Sequence, residues 1–426
     1  MKDSGVAWIG EIPQGWAVRR GKDIFAKRSL AAFETDEIVT CFRDGQVTLR
    51  KNRREEGFTI ALKEHGYQGV RVGDLVVHAM DAFAGAIGIS ESNGKCSPVY
   101  SICRARQPTK TDLRFYSYVL RDMALNGYIQ SVGQGIRERS TDFRFREVEV
   151  AFYCQPTLNE QRAIADYLDR QTVLIDQRLA TIAEKKAVLA ELRKATIHEA
   201  VTKGLNKTAP MKDSGVAWIG VIPQGWEVKR MKDCFISNSR PQPNDTVLSL
   251  SYGKVIVKDM EEKKGVTPDS YDSYQGVHPG DVVLRLTDLQ NDQKSLRVGR
   301  ATTKGIITSA YLCVSSRSLN DRYSAYLLHD VGDIQKLFYG LGGGVRQSMK
   351  FADLAELLFS LPPPSEQRAI ADYLDRQTAQ IDAQLATLDE QAQVLKDLRK
   401  AIIHEAVTGK IDLSGYAPQP QQALAA

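Results

Sequence analysis

No uninterrupted apolar stretch in these 426 residues approaches the eighteen or so needed to cross a bilayer, and no apolar N-terminal run has the form of a secretory signal. The six cysteines (Cys41, Cys96, Cys103, Cys154, Cys234, Cys313) contain no C-x-x-C pair, which favours a reducing compartment. The expectation is a soluble cytoplasmic protein. The six histidines (His65, His78, His198, His278, His329, His404) form no H-E-x-x-H, and no G-x-x-x-x-G-K-[ST] loop is present to cradle ATP. Nor is there an N-P-P-[YF] or D-P-P-[YF] tetrapeptide of the kind that holds a target amine for methyl transfer. No catalytic, cofactor-binding or metal-ligating residue is therefore expected. A formal charge of +5 is too small to distinguish a nucleic-acid surface from an ordinary basic one.

What is present is repetition. Met1 to Asp23 returns as Met211 to Asp233, altered only at Glu11/Val221, Ala17/Glu227, Arg19/Lys229 and Gly21/Met231. EQRAIADYLDRQT at Glu160 to Thr172 recurs unchanged at Glu366 to Thr378, and LRKATIHEAVT, Leu192 to Thr202, recurs as LRKAIIHEAVT, Leu398 to Thr408. The inserts between, roughly Ile24 to Thr157 and Cys234 to Pro363, align only at scattered points such as VGDLVVHAM against PGDVVLRLT. Identical frames suit two copies of one partner, and divergent inserts suit two different targets.

The second repeated phrase is helical. Apolar residues at Ile164, Leu168, Ile175, Leu179, Ile182, Leu189 and Leu192, and at Ile370, Leu374, Ile381, Leu385, Leu388, Leu395 and Leu398, fall at spacings of three, four and seven. Asn159 and Ser365 are placed as N-caps, and Gly204 and Gly409 as C-terminal caps. Each helix would run about 44 residues, roughly 65 Å. A lone helix of that length with one apolar stripe is poorly stable, and the other copy supplies a matching stripe. The expected fold is α+β: two globular mixed α/β domains joined by a long antiparallel two-helix coiled coil with a pseudo-two-fold internal repeat. Two independent helical hairpins are the other reading.

The expected organisation is a first domain at 1–155, a central helix at 156–204, a second domain at 205–361, a C-terminal helix at 362–410 and a flexible tail at 411–426. Within the inserts, strands are expected at Asp74 to His78, Ala86 to Ile89, Val99 to Cys103, Asp281 to Leu286 and Ile306 to Val314, with helices at Leu113 to Leu125 and Arg322 to Leu328.

Several segments could meet DNA. Arg50, Lys51, Arg53 and Arg54 form a basic cluster dense enough for phosphate, although Glu55 and Glu56 follow and a solvated turn is the rival reading. The glycine-rich segments around Gly135, Arg137 and Arg139, and around Gly344, Arg346 and Gln347, occur at matching places in dissimilar inserts. Glycines let backbone N–H groups approach a phosphate, and arginine can fork onto a guanine edge. The rival reading is a tight turn with a surface arginine. Asp269, Asp292 and Lys294 resemble the PD and DxK elements of metal-dependent nucleases, where carboxylates hold Mg²⁺ and lysine activates water, but the first insert has no counterpart. All four tryptophans, Trp8, Trp16, Trp218 and Trp226, lie in the repeated frames. They are candidates for a partner interface or for core packing.

The frame S-G-x-x-W-I-G-x-I-P-x-x-W, at Ser4 to Trp16 and Ser214 to Trp226, is followed by P-x-x-x-E-Q-R-A-I-A-D-Y-L-D and H-E-A-V-T. In this order the chain resembles the specificity subunits of bacterial type I restriction-modification systems, over nearly its whole length. The resemblance implies a non-catalytic subunit that binds double-stranded DNA through two target recognition domains, each reading one half of a split sequence. It implies two copies of a methyltransferase subunit as partners, carrying S-adenosylmethionine for adenine N6 methylation, and restriction subunits using ATP and Mg²⁺. The coiled coil would act as a ruler, setting half-sites one to two turns apart at about 34 Å per turn. On that reading the best candidates for base contact are His78, Asp81 and Phe83 with Arg137 and Arg139 in the first insert. Those in the second are Arg285, Asp288 and Gln290 with Arg346 and Gln347. A self-sufficient nuclease and a coiled-coil scaffold that ignores DNA are the competing classes.

Overall fold

The computed structural model describes residues 1–53, 65–132, 142–238, 246–258, 271–289, 292, 295–341, 349–413 and 415–416. The chain divides into two compact units, Met1–Ile182 with Glu390–Ala426, and Ala183–Asp389. Each long helix contributes residues to both units.

In the first unit the frame strand Ala17–Arg20 pairs antiparallel with Phe152–Gln155, so the two ends of the insert are clasped together. The insert then builds a four-stranded antiparallel sheet in the order Phe25–Lys27, Tyr100–Ala105, Leu75–His78, Ile87–Ile89. Side chains alternate along Leu75–His78 as a pleated strand requires. Leu75 and Val77 enter the main core with Trp16, Phe25, Phe115, Ile164, Leu168 and Ile403, whereas Val76 joins Val39, Cys41, Val47 and Ile102 on the other face. The helix Leu113–Leu125 forms where expected, started by Asp112, whose carboxylate accepts from the Arg114 N–H at 2.9 Å.

The second unit repeats this plan. Glu227–Arg230 pairs with Leu358–Leu361, and the sheet order is Phe235–Ser237, Leu312–Ser316, Val282–Leu284, Val298–Arg300. Val282 and Leu284 face the core around Trp226, Tyr323 and Phe359, while Val283 faces a smaller cluster with Leu248 and Ile307. The helix Asp321–His329 is capped by Asn320. The single strand expected over Ile306 to Val314 is two, Gly305–Ile307 and Leu312–Ser316, because a turn closed by the Tyr311 N–H on the Thr308 carbonyl interrupts it.

The long helices span Leu158–Lys203 and Pro364–Val407. Both lie within the expected segments but begin two residues before the starts that caps at Asn159 and Ser365 would give. Thr157, rather than Asn159, caps the first: its hydroxyl and N–H both donate to Glu160, at 2.6 and 2.8 Å. Pro364 precedes Ser365 as the first helical residue of the second, where its missing N–H is harmless. Gly204 and Gly409 end the helices with φ of +75° and +74°.

Of the expected apolar seam, Ile164, Leu168, Ile175, Ile182, Ile370, Leu374 and Ile381 are buried and Leu179, Leu189, Leu385, Leu388 and Leu395 half-buried. Leu192 and Leu398 depart from it, being 51% and 43% exposed. Counting by alternating fours and threes from Ile182 passes Lys186 and Leu189 and arrives at Arg193; from Ile381 the same count arrives at Arg399. Those arginines take ion pairs instead. In the second unit Lys186 pairs with Asp389 and Arg193 with Asp382, so seven steps forward along one helix match seven back along the other. In the first unit Arg399 pairs with Asp176 at 2.7 Å.

Candidate nucleic-acid interface

Several hydrogen bonds of the scaffold recur at equivalent positions in the two units. Trp16 donates its indole N–H to Glu160 at 3.1 Å in the first unit, and Trp226 donates to Glu366 at 3.0 Å in the second. Tyr118 donates to Asp169 as Tyr326 does to Asp375. Buried Asp122 meets His404 at 3.1 Å, and buried Asp330 meets His198 at 3.0 Å. Trp16 and Trp226, offered above as partner-interface candidates, are thus core residues, 4% and 1% exposed. Trp8 and Trp218 are partly buried against their own cores.

In the first unit the sheet gathers candidates that are distant in sequence. Thr40, Cys41, Phe42, Arg43, Asp44, Arg50, Arg53, His78, Asp81 and Tyr100 line a hollow of about 580 Å³. One wall is the hairpin Val39–Cys41 and Val47–Leu49, whose turn is closed by the Phe42 N–H on the Gln46 carbonyl at 2.9 Å. Arg50 and Lys51 lie in the single helical turn that follows, Arg50–Asn52, and Arg53 comes directly after it. Arg50 donates to the Thr40 hydroxyl at 3.3 Å. Arg53 pairs with Asp44 at 2.6 Å and lies over the Phe42 ring at 4.4 Å. Lys51 instead pairs with Glu37 at 2.6 Å and is not among the lining residues. Arg54 lies outside the described residues.

The opposite wall is the end of Leu75–His78. His78 stands beside Tyr100 in the ladder and meets its ring edge-to-face at 4.5 Å. Its Nδ1 accepts from the Asp81 N–H at 3.0 Å, which leaves Nε2 to carry the proton. Burial pushes the His78 pKa down, so the ring is neutral at pH 7 and offers a donor. Asp81 pairs with Arg43 at 2.8 Å, and the Arg43 guanidinium lies 6.0 Å from the centre of the Phe83 ring. Burial raises the Cys41 thiol, which stays protonated and is no nucleophile. Three guanidinium groups against two carboxylates leave the hollow positive, with donors and acceptors side by side. Such a set can hold phosphate oxygens and match base edges.

In the second unit, Arg285 and Asp288 occupy the places of His78 and Asp81. Arg285 is half-buried, and its side chain makes no hydrogen bond or ion pair among the described residues. Asp288 is exposed, with φ of +59°. Gln290, Gly344, Arg346 and Gln347 lie outside the described residues, as do Gly135, Arg137 and Arg139 of the first insert. Of the nuclease-like set, Asp269 and Lys294 also lie outside. Asp292 is engaged by Arg297, its carboxylate at 3.5 Å. Among the described residues no group of three or more potential metal ligands assembles.

Arg43, Asp44 and Tyr100 escaped sequence reading, although Asp44-Gly45 between two alternating runs is a hairpin signal that could have placed the first two. Arg297 carries no signal in its local sequence.

These features define an internally duplicated α+β protein with one scaffold and two unlike surface inserts. A family model, type I restriction modification DNA specificity domain, matches residues 223–391. The type I restriction enzyme MjaX specificity subunit assigned in Methanocaldococcus jannaschii is 23% identical over 438 residues, 95% of each chain. The Escherichia coli type I restriction enzyme EcoBI specificity subunit is 43% identical over 58 residues, 14% of this chain and 12% of that one. A solved structure from work on complex assembly and conformational transition of the type I R-M system aligns with a TM-score of 0.67, covering 94% of this chain and 100% of that one at 16% identity. Over most of its length the chain is thus similar to specificity subunits of type I restriction-modification systems, and residues 223–391 carry their DNA specificity domain.

Proposed function

We propose that this chain reads a bipartite DNA sequence for a type I restriction-modification complex, with the first unit reading one half-site and the second the other. The observation that carries this reading is the contrast within the duplication. Scaffold hydrogen bonds repeat pair by pair, whereas the residues at the ends of equivalent strands, His78 and Arg285, differ in charge and in reach. A reader of one symmetrical sequence would have no use for two chemistries.

The long helices act as an antiparallel coiled-coil strut that fixes the spacing of the half-sites. The ion pairs Lys186–Asp389, Arg193–Asp382 and Asp176–Arg399 support this, since all three fit one antiparallel register. The chain itself is non-catalytic. It recruits two methyltransferase subunits through its repeated frames, and restriction subunits where the system has them. S-adenosylmethionine, ATP and Mg²⁺ belong to those partners. No helix among the described residues is long and apolar enough to cross a membrane.

Sequencing of N6-methyladenine in cells expressing this chain with its methyltransferase subunit tests the reading. Two different short motifs separated by a fixed unread gap are expected; one uninterrupted motif overturns the proposal. In the same assay His78→Ala should relax the first half-motif alone, by about 1–3 kcal/mol of discrimination at the affected base.

A further inference from the structure

Arg297 is 0% exposed, yet its guanidinium is bonded chiefly to main-chain oxygens rather than to a carboxylate. Nη1 donates to the carbonyls of Thr287 at 2.5 Å and Arg285 at 3.4 Å, Nη2 to those of Asp288 at 3.2 Å and Asp292, and Nε to the Tyr339 hydroxyl at 3.0 Å. Its own N–H donates to Asp333 at 2.6 Å. A buried charge is tolerable only when such a set of acceptors surrounds it, and the planar fork of arginine can serve acceptors on several sides at once. The carbonyls it collects all belong to the segment that presents Arg285 and Asp288.

Among the described residues the first unit has no arginine at the equivalent position. The Arg285 N–H donates to the Arg297 carbonyl where the His78 N–H donates to that of Ala86, so alanine stands in the place of Arg297. There the shorter turn closes on itself, with the N–H groups of Ala84 and Ala86 both on the Asp81 carbonyl. The longer segment of the second unit also carries a bond of this kind, the Asp292 N–H on the Asp288 carbonyl at 3.2 Å, and Arg297 adds its own bonds to the Arg285, Thr287 and Asp288 carbonyls.

We propose that Arg297 is a positioning residue for the second reader: it fixes the backbone of Arg285, Thr287 and Asp288 and so determines which bases the second half-site accepts, without touching DNA. This rests on the bipartite reading above. The test is half-site-resolved N6-methyladenine sequencing of cells carrying the full complex with wild-type chain, Arg297→Lys or Tyr339→Phe. Lysine is a point charge and cannot bridge the same carbonyls. It should lower discrimination at positions of the second half-motif about tenfold or more, as expected for loss of a well-placed base contact, with the first half-motif and the gap unchanged. Tyr339→Phe removes one bond to the guanidinium and should give a weaker change in the same half.

A general loss of fold would relax or abolish both halves together. Equal relaxation of both, or an unchanged second half-motif in Arg297→Lys, overturns the proposal. Should Arg297→Lys give no methylation at all, Tyr339→Phe decides: relaxation of the second half alone supports the proposal, and an unchanged motif overturns it. A wild-type chain without a split motif defeats the bipartite reading and this inference together, whereas a split motif that the variants leave intact defeats this inference alone.

Discussion

The two segments that leave equivalent strands after His78 and Leu284 solve one problem in two ways. In the first, the Asp81 carbonyl collects N–H groups from its own short turn; in the second, longer one, the carbonyls of Arg285, Thr287, Asp288 and Asp292 bond the buried Arg297. The difference shows where this architecture stores variation. The sheet order and several helix contacts recur in both units, whereas the segments that follow the equivalent strands differ. The short turn leaves His78 bonded to its own backbone. The longer one holds Arg285, whose side chain makes no hydrogen bond or ion pair among the described residues.

The sharpest way to break this comparison is to ask whether the duplicated scaffold is energetically duplicated. Trp16→Ala and Trp226→Ala each remove a buried indole and its hydrogen bond to a glutamate, at about 3–5 kcal/mol. Thermal and denaturant unfolding should show comparable losses for the two. A large loss in one and none in the other would mean that the matching hydrogen bonds hide unequal cores.

A smaller effect should separate the halves. Gly204 and Gly409 both have positive φ, where alanine costs about 1–2 kcal/mol. A β-carbon at Gly409 would sit 2.5 Å from the Pro13 ring and 3.0 Å from Trp16, whereas at Gly204 it would meet the movable end of Glu366 at 2.6 Å. Gly409→Ala should therefore lower the unfolding midpoint more than Gly204→Ala, and the reverse order would count against the packing described.

The smallest effect concerns pH. The hydrogen bond that His198 donates to the Asp330 carboxylate raises the histidine's pKa above its usual value, against burial and the nearby Lys203. Because the folded-state value is the higher one, the stabilisation is complete below the ordinary histidine pKa and disappears as pH rises through the raised value. Thermal unfolding followed from about pH 6 to pH 9 should show this loss, and His198→Gln should flatten that part of the profile.

Much of the scaffold was legible in the sequence because it is written in periodic or repeated form. The helix Leu113–Leu125 and the αL glycines at 204 and 409 followed from spacing and local chemistry. The seam failed at Leu192 and Leu398, where the helical phase puts arginine inward and apolar identity misled. His78 and Arg50 were each selected on local grounds, but nothing in the sequence says that they line one hollow, since antiparallel pairing brings together strands more than twenty residues apart. Arg297 was illegible for a related reason: its importance lies in main-chain carbonyls, which have no identity in a sequence.

The clasp between Ala17–Arg20 and Phe152–Gln155, with its counterpart Glu227–Arg230 and Leu358–Leu361, gives each insert neighbouring points of entry and departure. A foreign cassette with the same two-strand stem could be spliced into either position without stretching the framework, so new specificities would be reachable by exchange of whole blocks as well as by point changes.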